Sequence, residues 1–346
     1  MSGLDQPLLL ANSNYHVGHQ ISIRIAEERG YFQEEGFTDY AYECRGLIPG
    51  PLEPRGLALV MKEHGVDIAT AVNVGAILAE RLRGAELYIV GGWRFTSNMR
   101  LFGRKDMADL RELRGKRIGT REAGGIAQFF IANQLRRVGV DPYAEVEWVY
   151  DAAYGYGNDP RHLDALRSGE VDAMASQPPM TDVLAQEGYP LLLDPTVIYP
   201  GGRPDKVVVA TRRTVEERGD ALRAFFRGNI RAFWDMRNAA SFGYLQDLEG
   251  RLRAQTHNDD ERRVRIVSSV EKTEGWNLPI HGTVVPETLE RVVEELVLFG
   301  ELERALDVND VLRQEAASAA YREVSSRPAL QESHQAARAA VEKYGF

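Results

Sequence analysis

Short apolar runs alternate with segments of helical periodicity along residues 7–212. PLLLA at 7–11 and VDIATA at 66–71 have the length and composition of buried strands. The segment 126–140 instead carries its apolar residues at helical spacing, from Ile126 to Val138. Strands that alternate with helices favour right-handed crossovers, so the pattern predicts an α/β fold.

Two stretches share one layout, which predicts two similar domains. VDIATA (66–71) and VDAMAS (171–176) each follow a helix-like segment and a glycine turn. KVVVATR (206–212) would be a strand that returns to the first domain, and nearly everything beyond Thr214 is helical in pattern.

We therefore predict two Rossmann-like three-layer domains with a helical C-terminal tail. Domain I would comprise residues 1–98 plus 206–346, and domain II residues 99–205. Two interdomain strands, near 96–105 and 200–207, would form a hinge about which the domains close on a ligand in the cleft.

Composition narrows the possible partners of the chain. Its 346 residues contain 42 Lys and Arg against 51 Asp and Glu, a net charge of −9. This balance argues against a nucleic-acid partner. No apolar run approaches the roughly 20 residues needed to span a membrane, which argues against membrane insertion. Residues 1–15 lack the pattern of a signal peptide, so we expect a cytoplasmic protein, or a periplasmic or extracellular one if a signal was removed.

The sequence offers little support for a metal or a cofactor. His16 and His19 could share one side of a turn, but no third ligand accompanies them in a known motif. Cys44 is the only cysteine, so a Cys-rich cluster is impossible. Phosphate-loop, dinucleotide and nucleophile-elbow motifs are missing. We predict no metal and no cofactor.

Polar and aromatic residues follow several predicted strands, where ligands bind in open α/β sheets. If the two domains face each other, these clusters would converge on one cleft. Aromatic side chains there would cover the ligand. The predicted ligand-binding residues are Asn12, Asn14, Tyr15, His16, Asn73, Trp93, Arg94, Arg121, Gly124, Gly125, Tyr154, Ser176 and Gln177, with Phe95 and Tyr156 as further aromatic candidates.

The glycine-rich turn at 119–125 is a candidate anion site. It lies between a predicted strand and a long predicted helix, whose first N–H groups and dipole favour a negative charge. Arg121 could add a bidentate contact. An ordinary turn, with Arg121 paired to Glu122, explains the same residues equally well.

Five segments carry a resemblance to a known family. They are YHVGHQISIRIAEERGYFQEEGF, ALVMKEHGVDIATA, DLRELRGKRIGTREAGG, LRRVGVDPYAEVEWV and LDALRSGEVDAMAS. In this order they resemble the type II periplasmic solute-binding fold, in the branch of nitrate-, taurine- and alkanesulfonate-binding proteins and thiamine-pyrimidine proteins. The resemblance covers roughly residues 8–240.

The resemblance implies a small-molecule ligand and, for an exported protein, an ABC permease as partner. Some members of the branch are enzymes, namely pyrimidine synthases and lyases such as decarboxylases. The cysteine-rich motif of the synthases is missing, since Cys44 stands alone.

We predict a substrate-binding protein for a small organic ligand that is anionic or aromatic. The alternative is a cytoplasmic lyase or decarboxylase that acts on an aromatic or small carboxylic acid. In the lyase, Arg121 or Arg94 would hold the carboxylate, and His16 would be the acid or base, because an imidazole titrates near neutrality.

Overall fold

The structure is a computed structural model. It describes residues 7–12, 17–43, 56–96, 100–123, 125–154, 160–176, 180–199, 202–255 and 279–344. None of the helices in these ranges combines the length and the apolar character that crossing a membrane requires.

Ten strands and fifteen α-helices are described within these ranges, together with a few short 3₁₀ turns. The strands are β1 (Leu8–Asn12), β2 (Tyr40–Glu43), β3 (Ile68–Asn73), β4 (Leu87–Thr96), β5 (Arg100–Gly103), β6 (Arg117–Thr120), β7 (Glu147–Tyr150), β8 (Ala173–Ser176), β9 (Leu191–Leu193) and β10 (Arg203–Thr211). The helices are α1 (Val17–Glu28), α2 (Tyr31–Glu34), α3 (Leu57–His64), α4 (Val74–Leu82), α5 (Ile126–Arg137), α6 (Pro160–Ser168), α7 (Met180–Gln186), α8 (Pro195–Ile198), α9 (Arg212–Glu217), α10 (Gly219–Asp235), α11 (Phe242–Gln255), α12 (Pro286–Leu298), α13 (Val308–Val311), α14 (Glu315–Ser325) and α15 (Gln331–Tyr344).

The chain divides into two compact units. Unit 1 comprises Met1–Thr96 and Gly201–Phe346, and unit 2 comprises Ser97–Pro200. The chain therefore leaves unit 1 after β4 and returns to it with β10.

The sheet of unit 1 has the order β2-β1-β3-β10-β4. Strands β1, β2 and β3 are parallel, whereas β10 is antiparallel to both of its neighbours. Alternate residues of β10 face opposite sides, as strand geometry requires. Val208 packs in a core with Phe226 of α10, and Val207 packs in a second core with Val292 of α12. We call these the α10 core and the α12 core.

The sheet of unit 2 has the order β7-β6-β8-β5-β9. Strands β6, β7 and β8 are parallel, and β5 is antiparallel to β8 and β9. One core contains Phe130 and Leu135 of α5, and the other contains Leu163 and Leu166 of α6. Each sheet thus has an apolar core on both faces, so the predicted α/β class with two sheets is confirmed.

The aromatic residues of α10 are core residues. Phe225, Phe226, Phe233 and Trp234 are all fully buried. Their helical spacing places them on the face that covers the sheet. Their burial makes this stretch part of the core rather than an aromatic binding surface.

A bulge interrupts β3 next to its carboxyl end. Val72 pairs with Val207 and Ala69 pairs with Val209, so two residues of β3 oppose one of β10. Ala71 has a φ of 55°, in the left-handed region that residues other than glycine seldom adopt. The extra residue reverses the alternation, since Ala69 faces the α12 core and Ala71 faces the α10 core.

Candidate functional site

The carboxyl ends of β3 and β4 in unit 1 bring polar residues side by side. In the strand register, Lys206 of β10 pairs with Asn73 on one side and with Arg94 on the other. Asn12 ends β1 and pairs with Thr70. Ligands of open α/β sheets bind at this edge, so it is the candidate site of unit 1.

Both asparagines at this edge use their side chains to hold the backbone. The Asn73 Oδ1 accepts hydrogen bonds from the backbone N–H groups of Gly75 and Ala76, at 2.9 and 3.4 Å, and so caps α4. The Asn12 Nδ2 donates to the carbonyl of His19, and Asn12 is fully buried. The structure thus gives both residues a positioning role near the site.

Five ionisable side chains form a cluster around the first residues of β10. We call it the β10 charge cluster: Arg94, Arg203, Asp205, Lys206 and Glu295. The Arg94 Nη2 lies 2.5 Å from the Asp205 Oδ2, and the Lys206 Nζ lies 3.7 Å from the Asp205 Oδ1. The Arg203 Nε lies 3.1 Å from the Glu295 Oε2 of α12.

Burial and charge oppose each other in this cluster. Burial alone would raise the pKa of Asp205, but the charges of Lys206 and Arg94 and the hydrogen bond from Arg94 outweigh it, so the pKa is lowered. The pKa of Lys206 is also lowered, first by burial and then by the positive charge of Arg94, against the attraction of Asp205. The charged form of Lys206 is therefore disfavoured, and an additional negative charge nearby would stabilise it.

The cluster carries an excess of positive charge. Three cations face two carboxylates, which leaves 3 − 2 = +1 within the five side chains. Asp205 is shared between Arg94 and Lys206, whose side chains keep 28% and 15% of their accessible surface. The ammonium group of Lys206 has its one described carboxylate contact at 3.7 Å, which is too long for a hydrogen bond, so a small anion would suit it.

Three predicted aromatic contacts are core residues. Trp93 is fully buried in the α10 core, where its ring meets Phe233 edge to face at 5.8 Å between centroids. Tyr154 is fully buried in the unit 2 core that contains Leu163 and Leu166 of α6, and its hydroxyl donates to Glu170 at 2.8 Å. Phe95 lies in the α12 core. Trp93 and Tyr154 have no exposed surface with which to meet a ligand, and Phe95 is 5% exposed.

In unit 2, the corresponding edge is formed by the ends of β6, β7 and β8. Thr120 ends β6 and pairs with Tyr150 of β7. The Thr120 hydroxyl is buried and has no hydrogen-bond partner among the described residues. Ser176, a predicted ligand contact, ends β8 and is fully buried. Gly125 is the N-cap residue of α5. It makes no side-chain capping hydrogen bond.

Arg121 lies in this turn beside an acid. Its Nε is 3.7 Å from the Glu122 Oε2, and 31% of its side chain is exposed. This contact is the one that the ordinary-turn interpretation predicts, although at 3.7 Å it is too long for a hydrogen bond. A ligand anion at the start of α5 would compete with Glu122 for Arg121.

Several predicted residues lie outside the described ranges. They are Asn14, Tyr15, His16, Gly124, Tyr156 and Gln177. His19 is described and is buried in α1. Within the described ranges, no three His, Cys, Asp or Glu side chains lie close enough together to hold a metal ion.

Sequence reasoning missed Asp205, Lys206 and Thr120. A signal for the first two exists, since Pro-Asp-Lys opens the apolar run KVVVAT and a lysine is unusual at the start of a buried strand. Their pairing with Arg94 depends on β10 lying next to β4, which no local pattern reveals.

Comparison with solved structures identifies the fold. A putative periplasmic sulfonate-binding protein SsuA of a sulfonate ABC transporter from Methylobacillus flagellatus matches with a TM-score of 0.61 and 16% identity, over 94% of this chain and 96% of that one. The periplasmic aliphatic sulphonate-binding protein SsuA from Escherichia coli matches with a TM-score of 0.57 and 16% identity, over 89% and 92%. The desulfurization enzyme DSZB matches with a TM-score of 0.55 and 14% identity, over 91% and 99%.

The chain therefore has the fold of the periplasmic binding proteins, and the resemblance predicted from its sequence is confirmed at the level of structure. At the level of sequence, no protein-family model matches the chain. No curated protein matches it either. Identities of 14–16% establish the fold alone, and the fold is shared by binding proteins and an enzyme.

Proposed function

We propose that this protein binds a small organic anion, of the carboxylate or sulfonate class, as a substrate-binding protein. The observation that carries the proposal is the excess positive charge of the β10 charge cluster at the carboxyl edge of the unit 1 sheet. Where the chain is exported, its partner would be an ABC permease.

The chemistry of Lys206 supports an anionic rather than a neutral ligand. Its pKa is lowered by burial and by Arg94, so its charged form is disfavoured until a second anion joins Asp205. A ligand carboxylate or sulfonate would supply that anion and complete the pairing of three cations with three negative groups. A neutral ligand would leave the excess charge unpaired.

Thr120 is a candidate polar contact at the carboxyl edge of the unit 2 sheet, considered by itself. Within the part of the chain that the structure describes, its hydroxyl is buried without a hydrogen-bond partner at the end of β6, directly before the turn that leads into α5. A buried hydroxyl costs free energy until it is hydrogen-bonded, and a ligand oxygen is one group that would satisfy it.

A thermal-shift screen tests the proposal. The purified chain is heated with small carboxylates, sulfonates and aromatic acids, and with neutral amides and alcohols of matched size. A ligand at 100 times its dissociation constant should stabilise the protein by about 2.7 kcal/mol. We expect stabilisation by a subset of the anions. Stabilisation by neutral analogues alone would contradict the proposal, as would a screen without any stabilising compound.

Substitution of Lys206 tests the site. We expect Lys206→Met to weaken binding of an anion found in the screen by about tenfold to a hundredfold, the range for a hydrogen bond to a charged group. The fold should persist, because Asp205 keeps its contact with Arg94. Lys62→Met, at an exposed lysine of α3 in the same unit, is the matched control and should bind as the wild type does. Titration calorimetry gives both affinities.

The same pair of variants tests the charge of Lys206. Because its pKa is lowered, the wild type should lose affinity as the pH rises through that lowered value, by up to about tenfold per pH unit. Lys206→Met should lack this alkaline dependence, whereas Lys62→Met should retain it. Wild-type affinity in Lys206→Met would remove this residue from the site.

The alternative, a lyase or decarboxylase, makes a different prediction for the recovered ligand. Its proposed acid or base, His16, lies outside the described ranges. DSZB, an enzyme by name, has this fold, so the fold is compatible with both classes. Each stabilising compound is incubated with stoichiometric protein and weighed by mass spectrometry. Unchanged recovery supports a binding protein, and loss of carbon dioxide would establish a decarboxylase.

A further inference from the structure

Asp205 lies deeper in the β10 charge cluster than the two cations that contact it. Its side chain is 3% exposed, whereas those of Arg94 and Lys206 are more exposed. The Arg94 Nη2 lies 2.5 Å from one carboxylate oxygen, and the Lys206 Nζ lies 3.7 Å from the other. A ligand therefore reaches the cations more readily than it reaches the carboxylate, whose negative charge lies fixed against them.

A bulge in β10 brings this carboxylate to the cations. Pro204 pairs with Phe95 of β4. Lys206, two residues further along β10, pairs with Arg94, the adjacent residue of β4. Asp205 is therefore the extra residue of a bulge. Consecutive residues of a regular strand point to opposite faces of the sheet, and a bulge redirects a side chain, so Asp205 and Lys206 can be in contact although they are neighbours in sequence.

The charges of the cluster leave one positive charge for a ligand to match. Arg94 and Lys206 share a single carboxylate, that of Asp205. Arg203 has a carboxylate partner of its own in Glu295, at 3.1 Å. A ligand with one negative charge would therefore bring the five side chains to neutrality.

A second negative charge on the ligand would have no cation left to pair with among these five side chains. It would instead face the Asp205 carboxylate, and like charges repel strongly in a partly buried site. The residues that end the neighbouring strands β1 and β3, Asn12 and Asn73, are uncharged amides. We propose that Asp205 is a specificity-determining residue that restricts the site to singly charged anions. This inference rests on the proposed function and names the charge of the ligand.

Asp205 keeps its negative charge under the conditions of a binding experiment. Burial alone would raise its pKa, but the charges of Lys206 and Arg94 and the hydrogen bond from Arg94 outweigh burial and lower the pKa. The carboxylate therefore stays ionised near neutral pH. A doubly charged ligand is not accommodated by protonation of Asp205, so the repulsion between the two persists.

Matched pairs of probes measure the selectivity of the wild type by titration calorimetry at about pH 7. Methanesulfonate and sulfate are both tetrahedral and differ by one charge, and succinamate has an amide where succinate has a second carboxylate. We expect the singly charged member of each pair to bind about tenfold to a hundredfold more tightly, the effect of one unit charge a few ångströms away in a partly buried site. The ratio should be larger for the sulfate pair, because the second charge of sulfate cannot move away from Asp205. Equal or tighter binding of sulfate and succinate would overturn the inference.

Asp205→Asn tests the residue itself. It leaves three cations against one carboxylate, 3 − 1 = +2, so sulfate should gain on methanesulfonate by about tenfold or more. Loss of the carboxylate would lower the pKa of Lys206 further, so all proteins are compared at about pH 6, where an ammonium group keeps its proton more readily. Asp220→Asn, at an aspartate of α10 whose side chain is 99% exposed, changes the total charge equally and should keep the wild-type preference. An unchanged preference in Asp205→Asn would contradict the role of Asp205.

The possible failures are distinguishable. If no anion of the screen binds, the proposed function fails. If anions bind without preference for a single charge, the proposed function stands and this inference fails. Circular dichroism establishes that Asp205→Asn is folded, and the probe pairs decide the question in the wild type if it is not. A larger anion found in the screen is compared in the same way with its derivative that carries a second carboxylate, and tighter binding of that derivative would also overturn the inference.

Discussion

Ala71 shows how a single residue determines which side chains face which core. Among the described residues other than glycine, it alone has a positive φ, and it lies where β3 bulges against β10. The bulge shifts the alternation by one residue, so Ala69 and Val72 both face the α12 core. Without it, the residues that follow, including the helix cap Asn73, would face the other way.

Replacement of Ala71 by glycine should cost little stability. Glycine relieves a left-handed conformation that costs alanine about 1–2 kcal/mol, and this offsets the lost methyl burial and the greater chain entropy. Ala69→Gly, at an equally buried position without positive φ, should lower the free energy of unfolding by about 1.5 kcal/mol. Urea unfolding of both variants measures the difference, and equal losses would show that Ala71 is not strained.

At the residue scale, the sequence predicts which polar residues lie at the edge of a sheet better than it predicts what their side chains contact. Arg94 and Asn73 were predicted as ligand contacts because they follow strands, and they do lie at that edge. Their side chains are engaged with Asp205 and with the first turn of α4. Which polar side chain is left to meet a ligand depends on partners that are distant in sequence.

At the scale of elements, a buried carboxylate ties the C-terminal helices to the rest of unit 1. Glu35 follows α2, and its side chain is 1% exposed. Arg227 and Arg231 contact it from α10, at 3.0 and 2.7 Å, and Arg327 contacts both of its oxygens from the turn after α14. Such charge-assisted and bidentate hydrogen bonds are among the stronger polar contacts in proteins.

Glu35→Gln should destabilise the protein by about 3 kcal/mol, because it removes the negative charge that three arginines share and turns an amide NH2 group toward a guanidinium group. Glu34→Gln, at the adjacent exposed residue that also contacts Arg231, should cost under about 1 kcal/mol. Urea unfolding at pH 7 compares the two. Equal and small losses would mean that the arginines find other partners.

The pH dependence of Glu35 has a defined sign. Burial alone would raise its pKa, but hydrogen bonds from Arg327 and Arg231 outweigh burial and lower it. Its stabilisation is therefore present above the pKa of glutamate in the unfolded chain and is lost as the pH falls through the lowered value. Glu35→Gln should show a weaker loss of stability in acid than the wild type does.

The order of the elements was largely predictable. The strands predicted at 7–11, 66–71 and 171–176 and the helix predicted at 126–140 lie within three residues of β1, β3, β8 and α5, because apolar periodicity and glycine turns are local signals. Strand β10 begins at Arg203 rather than at the predicted residue 206. The three added residues, Arg-Pro-Asp, are polar or lack an N–H group, so nothing local marks them as a strand.

At the scale of the whole molecule, β10 completes unit 1. It lies between β3 and β4 and pairs with both, although more than 100 residues separate it from either strand. Unit 2, by contrast, is a continuous piece of chain with its own sheet and its own two cores.

We therefore expect residues 97–200 to fold on their own and residues 1–96 not to. The first fragment retains every strand of its sheet, whereas the second lacks the strand between β3 and β4 and most of the α10 core. Circular dichroism and thermal unfolding of both fragments check this. A cooperative transition in 1–96, or none in 97–200, would contradict the division into units.

The sequence by itself determined the class of fold, the order of strands and helices and the family resemblance, because each follows from local periodicity and short motifs. Only the tertiary structure decided which side chains are buried and which charges meet. Trp93 and Tyr154 became core residues, and Lys206 became the incompletely paired cation beside Asp205 and Arg94. The reason is physical: burial and pKa depend on neighbours that strand pairing brings together from distant parts of the chain.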